Sequence, residues 1–138
     1  MRKMSLDVGT RTIGVAVSDL MGMIANGVET IHRKSEQQDF SRISELVKAY
    51  EVDTLVVGYP KNMNGTIGER AQACQAVAQK LKELLPDLAI VLWDERLSTV
   101  AAERVLIDAD MRRKKRKNVI DMMAAVVILQ NFLDSRNF

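Results

Sequence analysis

The 138-residue chain contains one cysteine and one histidine. Cys74 alone cannot close a disulfide within the chain. With His32 as its only imidazole partner it cannot complete a zinc site, and a histidine-centred catalytic triad has little to draw on. A reducing compartment fits, and the expectation is a cytoplasmic protein. There are only two prolines, and no stretch is low in complexity, which argues against a linker-rich or disordered chain. No apolar run is long enough for a membrane span. The longest, residues 119–133, is interrupted by Asp121, Gln130 and Asn131 and falls short of the roughly 20 apolar residues a spanning helix needs. Arg2 and Lys3 open the chain, but Asp7, Arg11 and Asp19 break up anything resembling a signal peptide. No GxxxxGK[ST] loop occurs, which removes the usual triphosphate cradle.

The remaining composition is that of a single globular domain over residues 1–138. With 47% hydrophobic residues, the chain can bury a core without staples. The net charge is only +2, yet Arg112, Arg113, Lys114, Lys115, Arg116 and Lys117 follow one another, and such a run asks for a polyanion. Alternation predicts strands over 2–8 and 12–18, joined by a tight turn at Gly9, and a third over 23–32. Helical spacing begins near Glu36, with Phe40, Ile43, Leu46, Val47 and Tyr50 on one stripe. A short apolar strand follows at 54–57, then a helix over 67–85 ending before Pro86, then a strand over 88–93. Helices are expected over 98–109 and 119–134, with the basic run as the loop between them. The order βββαβαβαα implies an α/β fold: a five-stranded mixed sheet, three strands antiparallel and then two parallel, flanked by helices. Ligands of open sheets favour the carboxyl ends of the parallel strands. There the sequence places two polar segments, 58–68 and 94–96.

Three carboxylates are candidates for chemistry. Asp7 shares a strand face with Lys3 and Ser5; it is either a solvent-facing residue or an oxygen ligand for a hard cation on the central strand. Gly9 and Gly14 beside it allow close approach of a ligand or backbone. Asp94 and Glu95 point to opposite faces, so only one can share the face of Asp7. Glu95 is favoured, although an exposed turn with Glu95 paired to Arg96 and Ser98 capping a helix is the simpler reading of these residues taken alone. Asp121 lies on the apolar stripe formed by Ala124, Ala125, Ile128, Leu129 and Phe132. If that helix starts at Asn118, Asp121 could cap its first turn. If it faces the core instead, an unpaired buried carboxylate would cost several kcal/mol, and a cation would supply the missing charge. Three converging carboxylates without imidazole or thiolate partners suit Mg2+ or Mn2+. The basic run stands close to Asp121 in sequence and would draw in a phosphate backbone. Asn62, Asn64, Thr66 and Arg70 could add phosphate or sugar contacts.

The motifs LDVGTRTIGVAVSD at 6–19, VVGYPKNMNGTIGERAQ at 56–72, WDERLST at 93–99 and NVIDMMAAVVILQNFLD at 118–134 together resemble the YqgF/RuvX family. These bacterial proteins are described as Holliday junction resolvases and as pre-16S rRNA nucleases. The match spans nearly the whole chain. It implies a ribonuclease H-like fold and a nuclease with Asp7, Glu95 and Asp121 as metal ligands. Its implied partners are structured RNA or branched DNA, its site chemistry two-ion phosphodiester hydrolysis, and its state a monomer or homodimer. Arg96 and the basic run would contact nucleic acid. The 58–68 loop departs from the family pattern at Tyr59, Lys61 and Asn64. Two rivals remain. The glycine-containing hairpin also resembles the phosphate-binding hairpin of the actin, hexokinase and Hsp70 superfamily, whose members clasp nucleotide between two domains where this chain has room for one. A non-catalytic RNA-binding module is the other.

Overall fold

A computed structural model describes residues 1–60, 64–95 and 113–136, with side chains in the last helix from Met122 onward. The strands are β1 (Arg2–Val8), β2 (Thr12–Ser18), β3 (Ala25–His32), β4 (Val52–Tyr59) and β5 (Ala89–Asp94). The helices are α1 (Glu36–Ala49), α2 (Glu69–Leu84) and α3 (Arg113–Arg136). The five strands form one sheet in the order β3-β2-β1-β4-β5. β1 pairs antiparallel with β2 and parallel with β4; β2–β3 is antiparallel and β4–β5 parallel. The mixed sheet expected from the sequence is the one observed.

The two faces of the sheet differ in side-chain size, and this difference sets the layering. Met4, Leu6, Val8, Ile13, Val15, Val17, Leu55 and Val57 form a large-residue core with α1 and α2. On the other face Ser5, Ala16 and Ala25 are small, so α3 presses close through Ala125, Ile128, Leu129 and Phe132. Ser5 is fully buried and donates its hydroxyl to the Ala125 carbonyl at 2.6 Å, tying α3 to the central strand. The Met122 side chain lies so close to Gly27 that a Cβ there would meet its Sδ at 2.8 Å. Gln130 accepts from the Ala25 amide at 2.9 Å and donates to the Met23 carbonyl at 2.9 Å, pinning the β2–β3 connection to the same helix. Within that connection the Asp19 carboxylate accepts from the Met23 and Ile24 amides, which hold its pKa below the usual aspartate value.

Element boundaries move in four places. β3 begins at Ala25 rather than 23, because Asp19 organises residues 19–24 as a turn. β4 runs from Val52 to Tyr59, longer than the apolar core at 54–57, because pairing with β1 and β5 recruits its ends. α2 starts at Glu69, behind the turn at Gly65 (φ +87°) and the Gly68 cap. The largest change is in α3, which begins at Arg113 instead of 119. Arg113, Lys114, Lys115, Arg116 and Lys117 are helical rather than a loop, in keeping with the high helix propensity of arginine and lysine. The helix expected over 98–109, with Arg96 and Arg112, lies outside the described residues.

Candidate active site

Asp7 is near the carboxyl end of β1, on the α3 face with Ser5, and is only 7% exposed. The solvent-facing alternative is thereby removed. Its antiparallel partner is Gly14. One step beyond the Leu6–Val57 pair, the parallel register sets Gly58 of β4 on its other side. Gly58 in turn pairs with Trp93 of β5. Asp7 therefore stands between two glycines, on a floor with no neighbouring side chain in its row.

Strand parity decides between the adjacent acids. Val91 and Trp93 pack with the α3-side cluster, while Ile90 packs with the opposite core. Glu95, two residues after Trp93, falls on the α3 side with Asp7, and it is 8% exposed, so it is not part of an open turn. Its carboxylate leans back across the floor: a Cβ on Gly58 would come within 3.3 Å of Glu95 Oε2 and 2.6 Å of Ile128 Cδ1. Gly58 sits about 4.8 Å from Asp7 across one strand spacing. The two carboxylates thus lie on the same face of the sheet, with Gly58 between them and Ile128 packed against the place a side chain at position 58 would take.

Asp121 lies eight residues beyond Arg113, two turns inside α3. A first-turn capping role is therefore ruled out, and the helix dipole no longer favours an acid there. Its helical position falls on the stripe that Ala125, Ile128, Leu129 and Phe132 present to the sheet, while its side chain lies outside the described residues, as do those of Arg113, Lys114, Lys115, Arg116 and Lys117. Asn62 is also outside them. Asn64 and Thr66 serve the turn: the Asn64 carboxamide oxygen accepts from the Thr66 amide at 3.1 Å and from its hydroxyl at 2.7 Å. Arg70 is exposed at the start of α2. Tyr59, a departure from the family pattern, is buried, and its hydroxyl accepts from Gln75 Nε2 at 2.6 Å. His32 is exposed at the end of β3.

Buried oxygen donors on one face, with no imidazole or thiolate among the described residues near them, fit a hard divalent cation. Gly58 and Ser5 escaped sequence reasoning. A glycine directly after an apolar strand core, aligned with a glycine in the hairpin, was the available signal; the Ser5 contact spans 120 residues and has none.

A family model described as "RuvX: Holliday junction resolvase" matches residues 1–135. Proteins of Bacillus thuringiensis (strain Al Hakam) and Bacillus anthracis (strain A0248), each named "Putative pre-16S rRNA nuclease", are 66% identical over 138 residues, covering 99% of this chain and 100% of theirs. Thermus thermophilus RuvC in complex with a Holliday junction substrate superposes with a TM-score of 0.60 at 10% identity, covering 99% of this chain and 95% of that one. The fowlpox virus Holliday junction resolvase does so with a TM-score of 0.56 at 12% identity, covering 98% and 99%. At such identities the likeness is one of fold, and that fold is the ribonuclease H-like one.

Proposed function

Because the chain belongs to the RuvX family, we propose that it is a metal-dependent nuclease that hydrolyses phosphodiester bonds in processing of the 16S rRNA precursor. The observation that carries this reading is the pair of buried carboxylates, Asp7 and Glu95, on one face of the sheet with Gly58 between them. Relatives at 66% identity over their full length carry the rRNA nuclease name. Asp7, Glu95 and Asp121 would hold Mg2+ or Mn2+. Bound there, such ions supply the Lewis-acid charge that phosphodiester hydrolysis requires. The protein's part is to hold the carboxylates in place. Packing of α3 through the Ser5 hydroxyl and the small-residue floor fixes Asp7, and the reach of Glu95 over Gly58 orients the second acid. The cations of residues 112–117 would attract the substrate backbone, with a strong dependence on salt. No helix among the described residues is long and apolar enough to cross a membrane, and we place the protein in the cytoplasm, as a monomer or homodimer.

The family description favours a second reading, resolution of branched DNA. Purified protein incubated with labelled precursor rRNA and with a four-way DNA junction, in magnesium, manganese or chelator, separates the two. Cleavage of the RNA in either metal and none in chelator is the expected result. Symmetric nicking of the junction with the RNA left intact would establish resolution instead. RNA binding without cleavage of either substrate would overturn the nuclease reading, and ATP turnover without cleavage would replace it with phosphotransfer.

A further inference from the structure

At the carboxyl edge of β1, on the side away from Glu95, Val8, Gly9, Thr10, Arg33, Glu69, Arg70 and Ala73 enclose a cavity of about 250 Å³. Two guanidinium groups border this one small space. Arg33 is held in place: Nε donates to Asp39 Oδ2 at 3.2 Å and Nη1 to the Gly9 carbonyl at 2.9 Å. Asp39 is itself buried, at 3% exposure, and also accepts from the Lys34 amide. The Arg33 backbone amide donates to the Arg11 carbonyl at 2.8 Å, fixing it to the same hairpin. One face of the fork, Nη2, takes part in no hydrogen bond among the described residues. Arg70 makes no ion pair among them either, and the Gly68 cap leaves the first amides of α2 without a side-chain acceptor.

A preorganised guanidinium with a free edge beside a second, exposed one suits a tetrahedral oxyanion. Gly9 is two residues past Asp7, roughly 7 Å along the strand. Because Val8 packs on the α1–α2 face, a nucleic-acid strand lying over the carboxylates would reach the cavity by passing round the carboxyl end of β1, and would bring to it a phosphate a few nucleotides away. We propose that the Arg33–Arg70 cavity is a subsite for a backbone phosphate flanking the bond to be cut. The inference rests on the nuclease reading and deepens it. Glu69 stands on the cavity wall and opposes the bound anion.

The test is equilibrium binding, in chelator so that cleavage is off, of labelled precursor rRNA and a four-way DNA junction. It compares wild type with Arg70→Gln, Arg33→Lys and Glu69→Gln across a salt series. Arg33→Lys keeps a cation opposite Asp39 and so guards against simple unfolding. Arg70→Gln is expected to bind about three- to tenfold more weakly, with a salt slope reduced by about 1; Arg33→Lys to bind more weakly through loss of the fork; and Glu69→Gln to bind more tightly. Single methylphosphonate linkages moved along the strand should weaken wild type at one position and leave Arg70→Gln indifferent there. Binding by Arg70→Gln and Arg33→Lys within about twofold of wild type at unchanged slope would overturn the subsite. So would failure of wild type to bind either probe. A failed nuclease reading has a different signature: no cleavage in metal, with the Arg70 effect on binding intact.

Discussion

Replacing Asp7 with asparagine is expected to lower metal-dependent cleavage by on the order of 10³-fold while leaving the fold intact, and Glu95→Gln should do the same. The two substitutions preserve shape and remove charge. Asp7 is 7% exposed and Glu95 8%, so each side chain sits where solvent screens a charge poorly. Added Mg2+ or Mn2+ should raise the melting temperature of wild type in proportion to binding and leave Asp7→Asn unmoved. Full cleavage by Asp7→Asn would remove the site from Asp7 altogether. Loss of cleavage with an undiminished metal-induced shift would place the cation elsewhere.

Gly58→Ala should be the most damaging single-carbon change in the sheet. Glycine to alanine in a strand ordinarily stabilises by about 0.4–1 kcal/mol, through the unfolded chain. Gly58 is not among the glycines with positive φ, which are Gly22 and Gly65 among the described residues, so no backbone penalty intervenes. The new Cβ would nevertheless lie 2.6 Å from Ile128 Cδ1 and 3.3 Å from Glu95 Oε2. Ile128 is fully buried and branched at Cβ, leaving it little freedom to turn away. The sign should therefore reverse, to a destabilisation of about 1–3 kcal/mol, or roughly 3–10 °C in melting temperature. Cleavage should fall further than stability, because the displaced helix and Glu95 belong to the site. Ile128→Val removes the colliding methyl, and pairing it with Gly58→Ala should recover part of the loss as a coupling energy. A stabilised Gly58→Ala would show that the floor is not packed as described.

How much of this was legible beforehand depended on whether a contact is periodic. The mixed sheet followed from alternation in β1 and β2 and from apolar strands separated by helical spacing. The preference for Glu95 over Asp94 combined strand parity with family resemblance, and the clustering of Val91 and Trp93 against α3 sets Glu95 on the side of Asp7. The start of α3 was missed because six consecutive cations suggest a solvated loop, although arginine and lysine are strong helix formers. That error mattered, since it had left open a capping role for Asp121 that a helix beginning at Arg113 excludes. The Arg33–Asp39 pair was missed for a different reason. Its partners sit at the edge of an element, and nothing in an amphipathic pattern says that an acid beside Phe40 turns back to hold a hairpin. The carboxylates' metal-binding role rests on chemistry and family resemblance, which is why the asparagine and glutamine variants carry the weight of the test.

Trp93 is the only tryptophan in the chain. It stands between Gly58 and Glu95 with its ring edge-on to Phe132 at 5.8 Å, and its indole nitrogen is buried without a hydrogen-bond partner among the described residues. All intrinsic indole emission therefore originates one strand residue pair from Gly58 and two residues from Glu95. Paramagnetic Mn2+ quenches a fluorophore at such range where Mg2+ does not. With the cation held by Asp7 and Glu95 as proposed, Trp93 would serve as an optical gauge of its occupancy.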